Sequence, residues 1–276
     1  MYYINIIIDY IKNSYFILIA GNIELWRKYT YILFLTFLKV KPISETTSIF
    51  IWWHTIHIPY NFVSCLVLQE IFIDKLYKRL HGLDHVLDLW GFVWESALYL
   101  SSINKAVTVI ESDPRNFELC KKNTKNINNI TLHHAAVVRE KIWDLYLLKN
   151  NDYRGELSDI YHENALKIHT ISIAELEKQW FDGIKIDIEW WEYDLLDYRK
   201  ETKIFTYKKW FIEFHFDTNK PERDDKTYEF IHFLQLLWYQ IDFFTNNGTV
   251  ISTTDFLHTL KNHTNKHQYI NIFFEK

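Results

Sequence analysis

The sequence predicts an α/β protein built on a mostly parallel sheet with helices on its faces. Three observations carry this expectation. From Asp84 onward, short apolar runs of strand length alternate with helical segments. The stretch DLWGFVWESALYL, from Asp88 to Leu100, has the outline of a strand, a turn and the start of a helix. Acidic residues close several of the apolar runs, which is where an open α/β sheet faces its ligand crevice.

Residues 1–45 are aromatic and aliphatic, with scattered Lys and Arg. Their most apolar run, residues 29–38, is about half the length needed to span a bilayer. The chain start lacks the basic segment and small-residue cleavage site of a signal peptide. N-terminal helices packed on the domain are the expectation. Residues 46–60 read as a β-hairpin with Trp52-Trp53 at its turn. Residues 61–80 read as a helix, with Lys75, Lys78 and Arg79 near a C-terminal end whose dipole favours cations. The predicted strands of the sheet are 86–89, 106–110, 130–136, 184–188 and 210–214. Helices over 95–102 and 116–122 connect the early strands, and a later one covers 228–239. Residues 240–244 and 269–274 suit a closing antiparallel pair, and 138–170 an insertion or strand pair. The division is therefore an N-terminal helical and hairpin extension, 1–80, and a domain, 81–276.

Composition narrows the function. Hydrophobic residues at 48% and aromatics at 18% indicate a folded globule, and a net charge of −4 makes no electrostatic case for nucleic acid. Cys65 and Cys120 have no metal or redox spacing and fit two reduced thiols in a cytoplasmic protein. Glycine is scarce: 6 residues where average usage of roughly 7% gives about 19. Tryptophan is abundant, at 11. Several tryptophans stand where the chain needs glycine. Trp90 and Trp94 flank Gly91 in the predicted turn, Trp190-Trp191 follow a strand, and Trp238 ends a helix.

With glycine at 90, 94 and 190, the two central segments become DLGGFVGESALYL and a KIDIEG turn. In that form the chain resembles the FkbM-type S-adenosylmethionine-dependent methyltransferases over roughly residues 50–240. The resemblance rests on the order of DHVLDL, VIESDPRNFELCKKN (109–123), NNITLHHAAV (128–137), GIKIDIE (183–189) and FIEFHF (211–216). It implies a Rossmann-like class I methyltransferase fold with a seven-stranded sheet, S-adenosylmethionine as cofactor, and O-methylation of a small-molecule or glycan hydroxyl. Glu111-Ser112 stands where the family usually has Glu-Pro.

Site expectations follow from strand ends and from that resemblance. Asp88 closes the first strand, and the resemblance implies that it organises the amino-acid end of the cofactor in a bend made by Trp90, Gly91 and Trp94. Glu95 and Ser96 open the helix and serve equally as caps. Glu111 closes the second strand roughly 20 residues on, the separation of an acid that accepts from two ribose hydroxyls. Lys185, Asp187 and Glu189 share one side of a later strand, with Glu192 beyond. The resemblance makes Asp187, Glu189 and Glu192 the acceptor side, where a carboxylate takes or orients a hydroxyl proton. A salt-bridged cluster that starts a helix is the plainer reading, above all for Glu192. Glu213 and His215 share a strand face, as pocket lining or as a buried pair. His133 and His134 lie on opposite faces and make no joint metal site. No HExxH or CxxC motif predicts a metal.

Two explanations of the tryptophans stand side by side. Some genetic codes assign UGA to glycine, and translating it as tryptophan produces this pattern. Alternatively the chain is a pseudoenzyme or binding scaffold whose cofactor turn is filled by indole. A dinucleotide oxidoreductase is disfavoured, because the turn does not become G-x-G-x-x-G even with glycines restored.

Overall fold

The structure, a computed structural model, describes residues 46–51, 54–59, 67–73, 75–140, 145–148, 156–188, 192–202, 206–216, 222–244, 250–252, 255–256 and 268–276. The expected N-terminal helices, the Trp52-Trp53 turn, the first part of the 61–80 helix, and Glu189, Trp190 and Trp191 lie outside the described residues.

Strands β1 (Thr46–Ile51) and β2 (His54–Pro59) form the expected antiparallel hairpin. Next come β3 (His85–Leu89), α1 (Glu95–Ile103), β4 (Ala106–Glu111), α2 (Pro114–Thr124) and β5 (Ile130–His134). A smaller region follows: β6 (Ala136–Val138), β7 (Leu145–Leu148), β8 (Glu156–Ser158), β9 (Leu166–Ile168), β10 (Thr170–Ser172) and the single turn α3 (Ile173–Leu176). The chain then returns through β11 (Gly183–Ile186), α4 (Glu192–Thr202), β12 (Lys209–Phe216), α5 (Glu222–Leu236), β13 (Gln240–Phe244), β14 (Val250–Ile251) and β15 (Gln268–Glu275).

The main sheet has the order β14-β13-β15-β12-β11-β3-β4-β5. Neighbours from β5 to β12 run parallel, and β15 is antiparallel to both β12 and β13. The seven expected strands are present, with two-residue β14 added at one edge. This is a Rossmann-like, mostly parallel α/β fold. Order runs outward from β3 in both directions, so β3 and β11 flank the point where the topology reverses, the usual ligand crevice of such sheets.

Side-chain alternation explains why the strands are apolar throughout. Leu87, Leu89, Ile184, Ile186, Ile212 and Phe214 pack into one core with α4 and α5. Val86, Val107, Val109, Phe211 and Phe273 face the other way, into a core with α1 and the hairpin. Asn123 of α2 ties that hairpin down. Its Oδ1 accepts from the His57 N–H at 2.8 Å and its Nδ2 donates to the His57 carbonyl at 2.7 Å.

Two sequence expectations are corrected. The helix over 61–80 is not continuous in its described part. A π-turn, Gln69–Ile73, gives way to a 3-10 turn, Leu76–Leu80, across Lys75 at φ 57°. The tighter turn puts Tyr77 and Leu80, three apart, on one buried side. The strand over 130–136 ends at His134. The Ala135 N–H still donates to the Glu111 carbonyl, but that of Ala136 donates to the His169 carbonyl, and β6 pairs with β10 in a separate sheet. The described residues of 136–172 form that β6–β10 pair and a three-stranded sheet, β8-β7-β9. Among the described residues no helix is long and apolar enough to cross a membrane.

Candidate functional site

The bend after β3 is pressed onto β4. The N–H groups of Trp90 and Gly91 both donate to the Ile110 carbonyl, at 3.0 and 3.1 Å. A Cβ on Gly91 would fall 2.2 Å from Val109 Cγ1, so only glycine fits there. Trp90 and Trp94 carry φ values of 106° and 152°, and Phe92 lies between them at 47°. Glycine adopts such angles freely; any other side chain is strained there. Trp94 occupies the N-cap of α1 and contributes no capping hydrogen bond.

The two indoles go to different places. Trp90 lines a small, open cleft together with Ile110 and Ser112 on either side of Glu111, Ala135 beyond β5, and Ile188 beyond β11. Trp94 does not fill the cleft, contrary to the blockage expected from the sequence. It is fully buried in the hairpin-side core, where it stacks on Phe72 with ring centroids 5.6 Å apart. Its indole N–H has no partner there.

Buried acids surround this bend. Asp88 is fully buried and accepts from Ser96 Oγ at 2.6 Å, so Ser96 serves Asp88 and not the helix end. The ammonium of Lys185 lies 3.1 Å from Asp88 Oδ1 and 3.4 Å from Asp187 Oδ2, and donates to the Trp90 carbonyl at 2.9 Å. Burial lowers the affinity of Lys185 for its proton, but Asp88 and Asp187 outweigh it and hold the group above the ordinary lysine value. Burial pushes the Asp88 carboxyl up, against the pull of Lys185 and Ser96.

Glu111 is no surface acid: it is 1% exposed. Its Oε1 accepts from the Asp113 N–H at 2.7 Å and the Phe92 N–H also pulls on the carboxylate, while Oε2 is buried without a close partner. Burial raises its carboxyl well above the usual range. Asp113 in turn caps α2 by accepting from the Arg115 N–H at 2.8 Å, with Pro114 in the first helical position. Glu95 is also fully buried; burial pushes it up to about 8, against the weaker pull of its own N–H and that of Trp94.

A second acidic group lies across the crevice. Asp187 follows β11, and its Oδ1 is buried without a partner. Glu192, the first residue of α4, is fully buried; its Oε1 accepts from the His215 N–H at 3.0 Å and lies 3.1 Å from His215 Nδ1. It therefore holds His215 from behind. His215 Nε2 lies 3.2 Å from Glu213 Oε1. Of the expected site residues, Asp88, Trp90, Gly91, Trp94 and Glu111 gather around the bend, and Asp187 joins them through Lys185. Glu192 belongs to the His215 side. His134 stands apart, stacked on Phe117.

The Lys185–Asp88 pair was missed in the sequence, although the parallel register sets the two residues directly opposite each other. A lysine two before the strand-end acid was its one signal. The ring of Tyr77 lies 5.5 Å from the Lys185 ammonium, and no sequence pattern pointed to it.

No protein-family model and no curated protein sequence matches the chain. Among solved structures, Trm5b from Pyrococcus abyssi aligns at TM-score 0.48 and 9% identity, over 86% of this chain and 57% of its own. The chain thus spans just over half the length of that protein. TYW2 from M. jannaschii, in complex with AdoMet, aligns at TM-score 0.45 and 12% identity over 86% of this chain and 89% of its own. Aeropyrum pernix fibrillarin, with natively bound S-adenosyl-L-methionine, aligns at 0.44 and 10% over 85% and 84%. These are distant likenesses, and the fold assignment rests on the strand order described above.

Proposed function

We propose that this chain is an S-adenosylmethionine-dependent methyltransferase that methylates a hydroxyl on a sugar-like or secondary-metabolite acceptor, and that positions 90, 94 and 190 are glycine in the cellular protein. The observation that carries this reading is the backbone of the bend. Trp90 and Trp94 hold glycine conformations beside Gly91, at the point where the sheet topology reverses. Bare backbone at position 90 leaves room for a nucleotide-like ligand there; the Trp90 indole, which lines the cleft, does not.

The acids of the bend suit such a cofactor. Glu111 has a buried oxygen in need of donors, as an acid that receives ribose hydroxyls would. Asp88, steadied by Ser96 and Lys185, is placed for the amino-acid end. When bound, S-adenosylmethionine supplies an electrophilic methyl on a sulfonium. The chain's own task is to position a hydroxyl and give its proton a destination. Asp187 is the carboxylate placed for that, with Glu189 beside it in sequence. Glu192 works at one remove, by holding His215.

The packing of Trp94 favours the rival reading, a pseudoenzyme or scaffold, because a fully buried, stacked indole looks native to its core. The codons separate the two. UGA at positions 90, 94 and 190 is the expected result. UGG at these positions would end the glycine proposal and favour the pseudoenzyme.

A further inference from the structure

We propose that Asp187, Glu213 and His215 form a binding site for a divalent metal ion at the acceptor side of the crevice. Glu213 and His215 are two apart on β12 and so share a face, and Asp187 follows the neighbouring strand β11. One ligand atom from each of the three lies within 4.8 Å of the others. Because the residues come from two strands, no sequence motif announces them.

Two observations beyond proximity point to a ligand. Asp187 is 5% exposed, and while its Oδ2 pairs with Lys185, its Oδ1 is buried with no hydrogen-bond partner. A carboxylate oxygen left this way is costly unless something positive reaches it. The second observation is the setting of His215, whose two ring nitrogens each face a carboxylate: Nδ1 faces Glu192, and Nε2 faces Glu213. A neutral imidazole donates from one nitrogen only. With the Nδ1 proton given to Glu192, Nε2 turns a lone pair toward the Glu213 carboxylate, and a cation between them satisfies both. A carboxylate behind a metal-binding histidine is the common supporting arrangement.

Charge points the same way. Among the described residues, Asp88, Asp187, Glu192 and Glu213 gather around the basic groups of Lys185 and His215. Carboxylates drawn together out of water call for positive charge beside them. A protonated His215 would serve its own two carboxylates and leave Asp187 Oδ1 without a donor. A divalent ion serves all three. Two carboxylates and one imidazole suit Mn²⁺.

The role of such an ion rests on the methyltransferase reading. It would take the acceptor hydroxyl as a further ligand and fix its oxygen, with Asp187 then holding the ion in place of receiving the proton itself. Metal binding itself does not depend on that reading.

The test titrates Mn²⁺ alone into the full chain, and into its Trp90→Gly/Trp94→Gly/Trp190→Gly variant. Free Mn²⁺ is followed by electron paramagnetic resonance and folding by circular dichroism. One Mn²⁺ per chain is expected, weakened at least about ten-fold by Glu213→Gln or His215→Gln. Glu192→Gln, which removes the support behind the imidazole, weakens it by roughly 10–100-fold. Surface Glu229→Gln leaves it unchanged. If His215→Gln fails to fold, Glu213→Gln carries the test alone. Absence of stoichiometric Mn²⁺ binding by the folded chain, or binding indifferent to the site substitutions, overturns the proposal. In the glycine variant, S-adenosylmethionine binding without Mn²⁺ binding would sink the metal site alone. Mn²⁺ binding without S-adenosylmethionine binding would sink the methyltransferase reading alone.

Discussion

Trp238 stands at φ 65° just past α5, with its indole 90% exposed. The Tyr239 N–H donates to the Leu234 carbonyl and the Trp238 N–H to that of Gln235, the two bonds of a Schellman ending whose left-handed residue is normally glycine. The position separates backbone strain from packing, since the side chain buries almost nothing. Trp238→Gly should stabilise the protein by about 1 kcal/mol, a melting-temperature rise of roughly 2–4 °C. Trp180→Gly is the control. Trp180 is also exposed, but its φ is not positive, so no gain is expected. Equal effects in the two variants would remove the strain argument. Glu95 offers a second single-residue test. Its folded pKa of about 8 lies above the ordinary value of 4.5, so the native state binds the proton more tightly than the unfolded chain. Stability from this group is full below pH 4.5 and is lost as pH rises through about 8, by on the order of 3–5 kcal/mol. Urea unfolding at several pH values should show this slope, and Glu95→Gln should flatten it; an unchanged slope would locate it elsewhere. The tryptophan anomaly was legible from residue counts and turn positions alone. The burial of Glu95 was not, because a glutamate at a helix start reads as a cap until the core around it is known.

At the scale of elements, the hairpin and α2 are coupled through one side chain. Asn123 makes both of its strongest hydrogen bonds to the backbone of His57, from a position 6% exposed. Asn123→Ala should cost about 1–3 kcal/mol. It should also speed amide exchange in β2 while leaving β3 and β4 protected; uniform acceleration throughout would show the hairpin is no separate unit. Strands of the main sheet were readable because most are short apolar runs closed by a polar residue, as Glu111 closes β4 and Glu275 closes β15. The start of α2 was readable from Asp113-Pro114, a capping acid followed by proline. The 61–80 segment misled, because its apolar spacing is helical while Lys75 adopts a left-handed conformation that no local signal marks. The break between β5 and β6 was hidden for a related reason. Ala135 and Ala136 continue the apolar run, and the change of partner from β4 to β10 is decided by tertiary pairing.

For the whole molecule, strand order accounts for where the acids meet. Reversal of the topology between β3 and β11 brings Asp88 and Lys185, nearly a hundred positions apart in sequence, into register, and it places Asp187 beside them. The main sheet, its two cores and its closing antiparallel strands follow from ordinary alternation; the bend after β3 is where local chemistry disagrees with the fold around it. Such a conflict marks a functional site or a residue that does not belong there, and the glycine reading makes it both. The most direct test is equilibrium binding of S-adenosylmethionine to the chain as written and to its Trp90→Gly/Trp94→Gly/Trp190→Gly variant, each confirmed folded. Saturable one-to-one binding by the variant, with at least a hundred-fold weaker or absent binding by the tryptophan form, is the expected result. A folded variant that binds no better than the tryptophan form would contradict it.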